Sequence, residues 1–201
     1  MDSPLTSVPP RIHTGTRPRT VVTVVAVLTA LCSIGFAGAN VVLEVIDRPA
    51  DAGYARYVAE YPVGFAVMNW LVVALKLGGA AVAILSVSRS TFVRPGALGV
   101  MLWAGFATLG VYALGSVVEG VAMVFGLMGG IDRIGPAELA YVAFFLLFAA
   151  GFGVLAVSYA RRHDLGMRHV LLGVLGAPIV LGTVLFALPT LMGAFGLLPT
   201  A

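Results

Sequence analysis

Residues 62–87 read PVGFAVMNWLVVALKLGGAAVAILSV, an apolar run with a single charged residue, Lys76. An α-helix needs ~20 such residues to cross a bilayer core. A surface helix of a soluble protein would carry an apolar stripe and a charged face, whereas here apolar side chains go all the way round. The run therefore reads as a transmembrane helix. Four further blocks of the same kind, at about 21–43, 97–127, 137–160 and 169–189, flank it. The expected fold is all-α, a polytopic transmembrane helix bundle with five crossings.

Composition agrees. The chain has 201 residues, 60% hydrophobic and only 10% charged, far from the roughly quarter-charged average of soluble domains. One membrane domain, 21–201, uses nearly the whole chain. Residues 1–20 hold Pro4, Pro9, Pro10 and Pro18 among Ser, Thr and Gly, which reads as a disordered tail. Between the first two blocks, Tyr54, Tyr57 and Tyr61 recur at helical spacing in a charged stretch, as a short amphipathic helix on the membrane surface would. The turn Ser88–Pro95 closes the second block, and Gly129, Gly130 and Asp132 break the third. Pro136 and Glu138 suit the first turn of the fourth helix, which needs neither an N–H there nor a positive charge. In the fifth block Pro178 is expected to kink the helix and Pro189 to end it.

Arginines set the orientation. Arg11, Arg17, Arg19, Arg89, Arg94, Arg161, Arg162 and Arg168 fall on one side of the bilayer, and only Arg48, Arg56 and Arg133 on the other. Short cytoplasmic loops are enriched in Lys and Arg, so the N-terminus is expected inside and the C-terminus outside. Reporter fusions after Arg94 and Arg168 should read cytoplasmic, and fusions after Asp51, Asp132 and Ala201 external. A cytoplasmic reading at Ala201 would sink the five-crossing topology. Ala37-Gly38-Ala39 before Asn40 resembles a secretory cleavage site. The long proline-rich leader and the apolar run continuing through Val41, Val42 and Leu43 argue for retention of the first helix.

Several functions lack their residues. The basic residues sit singly or in pairs between apolar blocks, without the clustered basic face of a nucleic-acid-binding protein. Cys32 is alone inside the first block, so no disulfide or CxxC site can form. His13, His163 and His169 all lie in or beside charged segments, away from where a haem in the membrane would need axial ligands. No Ser-His-Asp set, HExxH or phosphate-binding loop occurs. No cofactor, metal or catalytic residue is expected, and the protein is not expected to be an enzyme.

What remains is polar chemistry inside the span. Lys76, the only lysine, sits near the middle of its block, where a charge costs roughly 2.5–3.5 kcal/mol on insertion scales. Asn69 lies two turns away on the same face. Glu119, late in the third block, and Asn40, late in the first, share the outer layer. Side chains lean toward their own helix N-terminus, so in antiparallel helices Lys76 and Glu119 lean toward each other. The candidate cluster is therefore Asn40, Asn69, Lys76 and Glu119. Gly35/Ala39, Ala74/Gly78, Gly79/Ala83, Ala149/Gly153 and Gly173/Ala177 each stand four apart, spacing that lets helix backbones approach closely.

Two readings of function follow. The first is a small, non-enzymatic accessory or scaffold subunit of a membrane complex, or a homo-oligomer. The second is a small permease using an outward-open polar cavity around Lys76 and Glu119. Arginine outnumbers lysine eleven to one, which suits a GC-rich bacterium and makes the bacterial inner membrane the expected location.

Overall fold

The computed structural model describes residues 18–45, 59–88, 92–127 and 135–197. The expected surface helix around Tyr54 and Tyr57, and nearly all of the N-terminal tail, lie outside them. The described residues form α1 (Thr20–Val45), α2 (Pro62–Leu85), α3 (Pro95–Val124), α4 (Pro136–Arg162), α5 (Met167–Gly182), a π-helical turn (Thr183–Ala187) and α6 (Leu188–Ala194). Prolines open α2, α3 and α4, where the missing N–H has no intrahelical partner to lose. Among the described residues four helices, α1 to α4, are long and apolar enough to cross a membrane. The protein is a helical membrane bundle.

The fifth helix does not end at Pro189. Helical backbone continues from Met167 to Ala194, about 40 Å at 1.5 Å per residue. Pro189 can donate no bond, and its ring crowds the carbonyl four residues back. The turn just before it widens accordingly, with the Leu188 N–H bonded to the Thr183 carbonyl, an i→i+5 bond of the kind that defines a π turn. Thr183 and Thr190 donate their hydroxyls to the Ile179 and Phe186 carbonyls at 2.9 and 2.6 Å, flanking the widened turn. Gly126 and Gly196, both at positive φ, end α3 and α6 with bonds from Leu127 to Ala122 and from Leu197 to Met192, the Schellman closure that favours glycine.

Small residues decide who packs on whom. On α2, Asn69, Val73, Lys76, Ala80 and Ala83 fall at alternating spacings of four and three, a coiled-coil-like seam, and this seam faces α1. The other side of α1 meets α4: a Cβ at Gly151 would stand 2.6 Å from Thr29 Oγ1. Phe152 on α4 is buried at the junction. It comes close enough to α3 that a Cβ at Gly105 would stand 2.9 Å from its ring, and it borders Gly79 of α2. Around it gather Ala26, Ala30, Ala80, Ala83, Leu98, Leu102, Leu155, Ala156 and Tyr159, all in the arginine-rich half of the bundle. α3 in turn carries α5 along its far side, while α2 meets α3 only sparingly.

Arg162 closes that half. Its Nη2 donates to the Ser86 carbonyl at 2.8 Å and its Nε to Ser158 at 3.3 Å, so it caps the end of α2 from α4. Tyr159 lies beneath Arg162 and beside His163, whose ring is 4.3 Å away. Burial first, then the Arg162 charge, pushes the His163 imidazole below its ordinary value, with Asp164 opposing.

Candidate intramembrane polar site

Asn40 is the hub of the site. α1 and α2 are antiparallel, so Lys76 leans away from the core and Asn40 leans toward it, and the two side chains meet. Lys76 Nζ donates a hydrogen bond to Asn40 Oδ1. Asn40 Nδ2 donates to Asn69 Oδ1 at 2.8 Å, and Asn69 Nδ2 returns a bond to the Asn40 backbone carbonyl at 3.2 Å. The amide orientations follow from these roles, since an ammonium needs an acceptor and only Oδ1 supplies one.

Phe36 completes the setting of Lys76. Its carbonyl lies 3.4 Å from Nζ, and its ring presents a face to the ammonium at 4.7 Å from the centroid, within cation–π range. Phe36 also stacks on Phe144 at 4.9 Å and meets Phe145 edge-on at 5.5 Å. Phe145 in turn contacts Tyr112 and Tyr141, whose hydroxyls are 2.7 Å apart. An aromatic layer thus joins α1, α3 and α4 beside the polar one. Sequence reasoning did not single out Phe36. The signal was its position one turn before Asn40, on the same face of α1.

Glu119 stands apart. It is exposed in the last two turns of α3, and among the described residues it makes no ion pair with Lys76. The reason is geometric. α3 has 30 residues, about 45 Å of helix against a hydrocarbon core of about 30 Å. A helix that long overhangs such a core, and an exposed carboxylate near its end has the headgroup layer within reach. α2 also runs along α1 rather than α3, so the shared height does not become a shared cavity.

The site can do two things chemically. It fastens α1 to α2 through amides bonded to each other, and among the described residues it holds the Lys76 ammonium on neutral partners. Compared with known proteins, the chain matches no family model, no curated protein and no solved structure.

Proposed function

We propose that this integral membrane protein is a non-enzymatic accessory or scaffold subunit of a complex in the bacterial inner membrane. The observation that carries this reading is an unequal use of small residues. Gly79, Gly153 and Gly173 lie against side chains of neighbouring helices, whereas a Cβ at Gly35, Gly38 or Gly78 would meet nothing within 4 Å. Gly35 with Ala39 on α1, and Ala74 with Gly78 on α2, are all exposed. They offer close-approach faces that the described residues leave empty. The permease alternative has less support, because Glu119 does not share a space with Lys76 and the amides bond to each other.

Native mass measurement of the protein purified in mild detergent tests the proposal. The expected result is a defined oligomer or a stoichiometric partner. A partnerless monomer that carries a solute or proton flux in proteoliposomes, abolished by Lys76→Met, would replace the subunit reading with the permease.

A further inference from the structure

We infer that Lys76 is a docking point for a transmembrane helix of a partner protein that carries an aspartate or glutamate near the bilayer midplane. The inference rests on the subunit reading and specifies its partner's chemistry. Lys76 Nζ has the Asn40 Oδ1, the Phe36 carbonyl and the Phe36 ring around it. These groups satisfy its protons and leave its charge uncancelled, since all of them are neutral. Intramembrane charges pair with one another or line functional paths, and among the described residues no carboxylate pairs with this one. The ammonium is only partly buried, and α2 is an edge helix that packs along α1 and meets α3 little.

Charge complementarity selects a carboxylate, and the surroundings select its carrier. Leu75 and Leu77, the chain neighbours of Lys76, are exposed and apolar, so the approach resembles lipid. A soluble anion would shed its hydration to enter there, whereas a carboxylate already carried on an apolar helix arrives without that step. The field of the ammonium is weakly screened in this medium, which favours such a pair over one in water.

The test uses the full-length protein in phosphatidylcholine vesicles at pH 8, with a fluorescent lysine-flanked polyleucine transmembrane peptide bearing one central Asp. Otherwise identical peptides carry Asn or Leu there, and binding is read by energy transfer. The Asp peptide should bind at least about tenfold more tightly than the Asn peptide, a difference of roughly 1.4 kcal/mol. Lys76→Met should abolish that preference and Lys76→Arg should keep it. Glu119→Gln should leave it unchanged. Equal binding of the Asp and Asn peptides to the wild type overturns the inference, whatever the variants do, and so does a preference that survives in Lys76→Met. A native partner that copurifies equally with wild type and Lys76→Met would refute the lysine's role and leave the subunit reading standing. A preference shown by a partnerless, flux-competent monomer would do the reverse.

Discussion

Gly173→Leu should detach α5 from the bundle, and Gly173→Ala should already weaken its docking. A Cβ at Gly173 would strike Trp103 Cβ and would stand 2.7 Å from the Val100 carbonyl and 3.1 Å from the Ala104 nitrogen. Two of those three atoms belong to the α3 backbone, so no rotamer change relieves the contact. Overpacking in well-packed interiors costs about 1–3 kcal/mol and sometimes more. The alanine should fall in that range and the leucine above it, because its remaining carbons need the same space. α5 has its contact with the bundle through α3, so little else would hold it. Gly176→Ala is the control, since a Cβ there meets nothing within 4 Å; it should be neutral or slightly stabilising, alanine being the better helix former. Unfolding in mixed micelles, with protease access to the turn before Met167 as a second probe, checks both. Equal stabilities for Gly173→Ala and Gly176→Ala would contradict the packing described for this pair of helices.

The second large effect is a coupling that follows Asn40 rather than Glu119. Asn40→Ala removes the side-chain acceptor from Lys76 and the Nδ2 donor from Asn69 while leaving the charge in place. It should cost about 1–3 kcal/mol, the range for leaving buried polar groups unsatisfied. Lys76→Met should cost less, because it also removes the charge from hydrocarbon. The double variant should recover about 1 kcal/mol or more relative to additivity, as contacting residues in one network do. Lys76→Met with Glu119→Gln should instead be additive within about 0.5 kcal/mol, as separated sites are. A strong Lys76–Glu119 interaction energy would show that the two groups meet in the bilayer after all.

Much of the architecture was legible because a bilayer demands long apolar blocks and the breaks between them are chemically loud. Pro62, Pro95 and Pro136 each open a helix close to where the block begins. Asn69 and Lys76 could be placed on one face from their seven-residue spacing alone. Azimuth was harder. The sequence gives a residue's height along its helix, but which neighbour it faces depends on the whole set of contacts. Consecutive antiparallel helices suggested α2 beside α3, yet Gly151, Gly79 and Gly105 bring Thr29, Ser33 and Phe152 together and seat α1 between α2 and α4. That placement separates Glu119 from Lys76. It also hid Phe36, since a phenylalanine in an apolar block looks like packing until a cation is found over its ring.

The π turn also changes how the last helix counts. Eighteen residues make about five turns of α-helix, so Leu191 would return to the azimuth of buried Gly173. Leu191 instead remains 54% exposed, and Met192 is 5% exposed. One residue has been absorbed between them, and the outer end of the helix is in phase with the inner end only because of it. A chain lacking one residue within Thr183–Ala187 would run as an unbroken α-helix and still turn the counterpart of Met192 inward. The same deletion between Gly173 and Gly182 would rotate Met192 toward lipid. The turn is thus the one place in this helix where the reading frame of its faces can change by a single residue without changing which faces are buried.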